Sequence, residues 1–296
     1  ELFKGKSHFG ENVTFDETLP TNYLADEVID DNKVNELLAK KYNETIVIAE
    51  DDSEILAYLK DELSTNFRVI AVNNGYDAVK AVMDDEVSLI LSDVLMPALN
   101  GFQLCSNIKS NIATCHIPIV LLTALSDDNQ RIYGIAEGAD EYIHKPFNMQ
   151  YVRLKIIRII EERKRLASTF AQKFGRLTRH EAANLPCVDD VFRDKLFNLI
   201  EAQHSDSNFK IELMSDMLGM SRILLYRKIT SIFGMSPSDL LRNYRLQKAV
   251  QLLTDQRRNV SEVAYIVGFS SPAYFAKCFK SVYNMTPTEY MYRTRE

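Results

Sequence analysis

The amino-acid sequence predicts an α/β domain with a doubly wound, five-stranded parallel sheet, followed by an all-α domain with two helix-turn-helix units. Three observations predict it. Short apolar runs without in/out alternation recur between helical stretches from residue 45 to about 160, as expected for strands covered on both faces and joined by helices. Beyond about residue 189 the apolar positions keep helical spacing only, and an imperfect repeat places Gly219 and Gly268 at matching points, 268 − 219 = 49 residues apart. Charge changes sign between the two stretches. Residues 44–160 hold 9 Lys and Arg against 17 Asp and Glu, a net of −8, whereas residues 190–296 hold 15 against 11, a net of +4. An acidic half joined to a basic half suits a chain of which only the second half meets a polyanion.

Residues 1–43 read as an N-terminal arm and linker, of which residues 11–43 are acidic and show little periodicity before Val34-Asn35-Glu36-Leu37-Leu38, with one short helical turn. A strand at 45–49 ends in Glu50-Asp51-Asp52, and a helix with Ile55, Leu56, Leu59 and Leu63 on one stripe begins near Ser53. A second strand spans 67–72 and leads to a helix near Gly75. The third, at 88–92, delivers Asp93 to its carboxyl end, after which Pro97 and Asn100-Gly101 turn the chain toward a helix near Phe102. The fourth, 118–122, ends in Thr123-Ala124 before a helix near Asp127, and the fifth, 140–143, ends in Lys145-Pro146-Phe147 before a helix near Asn148. Residues 164–188 carry a basic cluster, a Gly and a Pro without sustained period and read as the interdomain linker.

A lone Asp after a strand is usually a turn residue or a helix cap. Here other groups converge on the same sheet edge, where doubly wound sheets bind ligands. The carboxylates repel one another unless a cation intervenes, and Mg²⁺ takes a few carboxylates, a carbonyl and phosphate oxygens. A nucleophilic Asp, acidic metal ligands, a hydroxyl and an ammonium are the groups a phosphoryl group needs when it moves onto a carboxylate.

Thr45 to about Glu161 resembles the receiver domain of bacterial response regulators, whose fold is flavodoxin-like. The acidic pair, the Asp followed by Met-Pro and Asn-Gly, the Thr-Ala and the Lys-Pro-Phe carry the resemblance. It implies that Asp93 is the phosphoacceptor and that Glu50, Asp51, Asp93 and the Leu95 backbone carbonyl bind Mg²⁺. It further implies that Thr123 and Lys145 contact the phosphoryl group and that Tyr142 is the aromatic switch residue. Met96, Ala124 and Phe147 fit the pattern too. Glu50 departs from it, since Asp is frequent there; the charge is kept on a longer arm.

In the second half, Ile211–Ile229 and Val260–Lys280 both read as helix, Gly, apolar residue, Ser cap, helix, with matching endings Gly234-Met235-Ser236-Pro237 and Asn284-Met285-Thr286-Pro287. Residues from about 190 to 292 resemble the AraC-type DNA-binding domain, in which a long helix, here Ser238 to about Thr254, joins the two units. The resemblance implies base-edge contacts from Ile223, Tyr226 and Arg227, with Arg222 on phosphate, and from Ser271, Ala273, Tyr274 and Lys277 in the second unit. Ile223 has no donor or acceptor and can only pack on a thymine methyl. Leu225, Phe275 and Phe279 repeat on the opposite face and are expected in the core, and Lys228 and Lys280 on a solvated face.

The four cysteines, Cys105, Cys115, Cys187 and Cys278, are scattered without a zinc or disulfide pattern, and no apolar segment approaches the roughly 20 residues of a membrane helix. The expected location is the cytoplasm. Glu1–Gly10 resembles the last strand of a histidine-kinase ATP-binding domain, so the expected parent is a hybrid two-component sensor of the bacterial inner membrane, whose kinase activity lies outside this stretch. The expected domains are 1–43, 44–163, 164–188 as linker, and 189–296. The resulting expectation is a phosphorylation-controlled, sequence-specific transcription regulator rather than a conventional enzyme. Its partners are double-stranded DNA with direct repeats, a histidine-kinase phosphodonor, a second copy on phosphorylation and the transcription machinery. A free-standing response regulator is the alternative. An aspartyl-phosphate phosphohydrolase is disfavoured, because Leu95 stands where such enzymes carry a second acid.

Overall fold

The computed structural model describes residues 31–123, 138–174, 189–254 and 258–293. The chain forms two compact units: Glu1–Asn111 with Ile117–Ile160, and Ile112–His116 with Glu161–Glu296. In the first unit the described elements are α1 (Asp31–Ala39), β1 (Thr45–Ala49), α2 (Ser53–Ser64), β2 (Arg68–Val72), α3 (Gly75–Asp84), β3 (Leu89–Asp93), α4 (Gly101–Ser110), β4 (Ile119–Thr123), β5 (Glu141–His144) and the start of α5 (Met149–Phe174). All strand pairs are parallel, in the order β2-β1-β3-β4-β5. The helix expected from Asp127 and the expected Ala124 lie outside the described residues, as do Glu1–Gly10.

Strand alternation divides the apolar residues between two cores. Ile46, Ile48, Leu89, Leu91, Val120 and Leu122 pack with Leu59 and Leu63 of α2 and Val152 and Ile156 of α5. Val47, Ala49, Ile90, Ile119 and Leu121 pack with Ala78 and Val82 of α3 and Leu104 and Ile108 of α4. Both sheet faces are therefore covered, which is why β1, β3 and β4 are apolar without alternation. Strand order reverses at β1, and the crevice at a reversal lies outside the strands' carboxyl ends.

Two local expectations need correction. The stretch expected to hold one short turn is the nine-residue α1, whose C-terminal carbonyls are satisfied by Asn66: its Nδ2 donates to Leu38 O at 2.8 Å and Lys40 O at 2.7 Å. The turn between β3 and α4, expected from Pro97 and Asn100-Gly101, has its left-handed residue at Ala98, φ 68°. Asn100 instead caps α4 through a capping box with Gln103, and Gly101 is required by contact, since a Cβ there would lie 2.4 Å from the carbonyl oxygen of Asp93.

The second unit contains the rest of α5, then α6 (Asp190–Gln203), α7 (Ile211–Met217), α8 (Arg222–Phe233), α9 (Pro237–Thr254), α10 (Val260–Ile266), α11 (Pro272–Tyr283) and α12 (Pro287–Arg293). The sequence predicts a linker from residue 164, yet α5 continues to Phe174. The reason is aromatic: Phe170 and Phe174 are buried and stack on each other, with Phe170 4.8 Å from Phe233 and Phe174 5.4 Å from Phe197, centroid to centroid. Residues 175–188 of the expected linker lie outside the described residues. The two helix-turn-helix units are α7–α8 and α10–α11. Gly219 and Gly268 adopt positive φ, 70° and 88°, while Ser221 and Ser271 cap α8 and α11. Among the described residues no helix is long and apolar enough to cross a membrane.

Candidate phosphoacceptor site and nucleic-acid surface

The sheet register brings the acidic strand ends together. Ala49 pairs with Ser92 and Asp93 with Leu122, so Glu50 and Asp93 leave neighbouring strands at one level and Thr123 comes on the next. Asp52, third of the acidic run, faces away as the N-cap of α2, accepting from the backbone of Glu54 and Ile55. Carboxylate oxygens of Glu50, Asp51 and Asp93 lie within 4.8 Å of one another. Asp51 is exposed, whereas Glu50 and Asp93 are buried.

Lys145 closes the set. Its backbone N–H donates to Thr123 O at 2.7 Å, which holds the residue at the end of β5, and the Lys145–Pro146 bond is cis. Its ammonium donates to Glu50 Oε2 at 2.9 Å and lies 3.3 Å from Asp93 Oδ2. The other Asp93 oxygen, Oδ1, accepts from the backbone of Val94 at 2.8 Å, so one carboxylate oxygen is fixed and the other faces the cation. Burial, reinforced by the charge of Asp93, lifts the Glu50 carboxyl above its ordinary value despite the hydrogen bond from Lys145. Burial alone would lower Lys145, but its hydrogen bond to Glu50 and the charges of Asp93 and Glu50 outweigh it and hold the ammonium above its ordinary value. Glu50 thus keeps the acidic charge of this position and pairs with the lysine. Thr123 is buried, and Tyr142, on β5, packs half-buried against the core of the α3 and α4 face. Met96 is buried and Phe147 half-buried, while Leu95 is 59% exposed just beyond β3.

Three carboxylates that share one small volume, two of them buried, fit a hard divalent cation, and an adjacent ammonium fits the phosphoryl group it would meet. Residues 46–157 match the family model described as the response regulator receiver domain, and residues 214–293 that of a helix-turn-helix domain. The chain joins a response regulator receiver domain to an AraC-type helix-turn-helix domain.

Curated proteins match either along nearly the whole chain or over a receiver-sized part of it. A protein named Histidine kinase P4, from Formosa agariphila, is 37% identical over 280 residues, 95% of this chain and 20% of that protein. The transcriptional regulatory protein GltR of Pseudomonas aeruginosa is 38% identical over 113 residues, 38% of this chain and 47% of that one. The chain therefore spans about a fifth of the first relative and about half of the second. Among solved structures, the receiver domain of a signal transduction histidine kinase from Syntrophus aciditrophicus is 34% identical, covering 41% of this chain and 93% of that one, at a TM-score of 0.40. The C-terminal domain of the response regulator yesN from Fusobacterium nucleatum is 32% identical, covering 33% and 96%, at 0.33.

In the helix-turn-helix domain, the two second helices present different surfaces. On α8, Ile223 is 62% and Tyr226 53% exposed, and Arg227 is half-buried. Arg222 pairs with Glu212 at 2.9 Å, both side chains being more than half exposed. Such a surface pair contributes about 0–1 kcal/mol, so it holds the guanidinium only weakly. On α11, Ala273, Tyr274 and Lys277 are exposed, while the Ser271 hydroxyl accepts from the backbone of Tyr274 as the helix cap. Leu225, Phe275 and Phe279 are fully buried, and Lys280 is exposed.

Lys228 departs from its expected place on a solvated face. It has no exposure; its ammonium donates to Asp189 Oδ2 at 2.6 Å and lies 4.5 Å from the centre of the Phe192 ring. Burying a lysine is costly unless it is paired, and Asp189 supplies the pair while also capping α6. The matching position in the second copy is Cys278, an apolar solution to the same burial. Sequence reasoning missed the pair because helix spacing alone does not reveal a partner 39 residues away.

Proposed function

We propose that this chain is the phosphorylation-controlled, DNA-binding output of a two-component system, with Asp93 accepting the phosphoryl group of a phosphohistidine on a histidine kinase. The observation that carries the reading is the Lys145 ammonium 3.3 Å from Asp93 Oδ2, beside Glu50 and Asp51. In the transfer an Asp93 carboxylate oxygen forms a bond to phosphorus, the P–N bond breaks, and its electron pair leaves with the imidazole. Lys145 gives up part of its interaction with Asp93 for the incoming phosphoryl oxygens, and Thr123, at the adjacent strand end, donates its hydroxyl to them. Glu50, Asp51, Asp93 and the Leu95 carbonyl would hold Mg²⁺, which when bound would supply positive charge at this edge. Tyr142 responds as the switch residue. The match along 95% of the chain to a protein named as a histidine kinase supports a kinase in the same parent chain, in a cytoplasmic portion.

Arg222, Ile223, Tyr226 and Arg227 on one helix, and Ser271, Ala273, Tyr274 and Lys277 on the other, form the surface that meets double-stranded DNA. Ile223, Tyr226 and Tyr274 are each more than half exposed on the second helices of the two units, which leaves them accessible to base edges and supports it. A phosphorylated pair of protomers on direct repeats gives the regulation, with the transcription machinery as the downstream partner. The test is chemical. Acetyl phosphate with Mg²⁺ is expected to label Asp93 alone, with Asp93→Asn unlabelled; label retained on that variant rejects the assignment.

A further inference from the structure

The two helix-turn-helix units share α9, whose ends serve different cores. Leu240, Leu241 and Tyr244 pack with the first unit, and Leu246, Ala249 and Leu253 with the second. Arg245 lies between these two sets. Its Nε donates to the carbonyl of His204 at 2.8 Å, and an Nη donates to those of Asp206 at 2.7 Å and Phe209 at 3.5 Å. These carbonyls belong to the loop that leads from α6 into the first unit, and Phe209 is itself anchored in the first core.

The turn of the second unit closes on the same place. A Cβ on Gly268 would lie 2.1 Å from the His204 carbonyl oxygen and 2.9 Å from Arg245 Nε. Gly219, its counterpart in the first unit, shares the positive φ but has nothing within 4 Å of such a Cβ. Backbone conformation therefore accounts for both glycines, and at Gly268 close approach to the His204 carbonyl and to Arg245 adds a second reason.

We propose that Arg245, with Gly268 laid against it, is the joint that fixes the distance and angle between the two recognition helices, and so sets the spacing of the two DNA segments one protomer reads. This rests on the DNA-binding reading above. A planar guanidinium suits the role, because its fork of donors holds several carbonyls in one geometry, whereas a lysine ammonium reaches them as a single flexible point. Without the joint each unit keeps its own core, and the α9 backbone, with the Lys248–Glu201 pair and the Gln247 bond to the Phe174 carbonyl, is left to relate them.

The test uses the full chain and a duplex enriched from a random-sequence pool by the wild-type protein. The two protected segments are then offered separately, and together with base pairs added or removed between them. Wild type is expected to prefer one spacing by roughly tenfold or more, since simultaneous engagement is lost when the geometry does not fit. Arg245→Lys and Gly268→Ala are expected to flatten that preference several-fold while holding each separate segment as wild type does. Gly219→Ala, with the same φ but no contact, is expected to keep the preference. Unchanged spacing preference in both joint variants, or a loss that only mirrors weaker single-segment binding, overturns the proposal. Failure of wild type to enrich any duplex rejects the DNA reading instead. The joint is then judged without DNA, from the distance distribution between probes at the exposed positions 226 and 274: broadening in Arg245→Lys supports it, and a wild-type distribution overturns it.

Discussion

At the scale of single residues, Glu50, Asp93 and Lys145 form a buried set of two carboxylates and one ammonium, so removing the cation strands negative charge. Lys145→Ala is expected to destabilise the metal-free first unit by about 3 kcal/mol at neutral pH, the order seen when one partner of a buried pair is removed. The sign of its pH dependence is set by Glu50. A carboxyl raised in the folded state contributes stability below its ordinary value near 4.5, and loses it as pH rises through the folded value. Without Lys145 that rise is larger, so the variant's deficit is expected to shrink from pH 7 to pH 5 in urea unfolding with chelator present; a constant deficit would count against the pairing. Gly101→Ala, by forcing a methyl against the Asp93 carbonyl, is expected to cost roughly 1–3 kcal/mol and to slow labelling of Asp93 by acetyl phosphate, where wild-type labelling would count against the contact. Asp93, Glu50, Asp51, Thr123 and Lys145 are legible in the sequence because each stands just past an apolar run, and parallel strands deliver their carboxyl-terminal neighbours to one edge. Ala98 is not, because nothing about an alanine announces positive φ, and the Asn-Gly pair beside it offers a more familiar turn.

At the scale of elements, the tail of α5 is where sequence and structure part. Leu166, Ala167, Phe170 and Phe174 keep helical spacing, but the basic cluster before them and the Gly and Pro after them suggest a linker, and yet Phe170 and Phe174 insert into the core built by α6, α8 and α9. Phe174→Ala is accordingly expected to cost the second unit about 3–5 kcal/mol, measured by denaturant unfolding, where a linker residue would cost almost nothing. The helix-turn-helix repeats are legible because their Gly and Ser positions recur, whereas the burial of Lys228 is not, because its aspartate lies before α6 and outside the repeat. Near the end of α6, burial and the charges of Lys248 and Arg245 hold the His204 imidazole below its ordinary value. A depressed value means the neutral ring is favoured on folding, so stability is present above the ordinary value of about 6.5 and is lost as pH falls below it. His204→Asn is expected to remove that part of the slope between pH 7 and pH 5 in thermal unfolding, and an identical slope would contradict the burial argument.

At the scale of the whole molecule, an acidic receiver domain and a basic helix-turn-helix domain suit the proposed division of labour, in which one takes a phosphoryl group and the other meets a polyanion. If phosphorylation pairs two receivers, the second DNA-binding domain is held near its site once the first is bound, and affinity for paired sites rises by roughly 10² to 10⁴ without a new DNA contact. The most direct test is affinity for one-site and two-site duplexes with Mg²⁺, with and without beryllofluoride as the phosphoryl mimic, for wild type and Asp93→Asn. The account predicts that beryllofluoride tightens wild-type binding to paired sites far more than to single sites and leaves Asp93→Asn unchanged. Equal affinities with and without the mimic, or the same gain in Asp93→Asn, would contradict it.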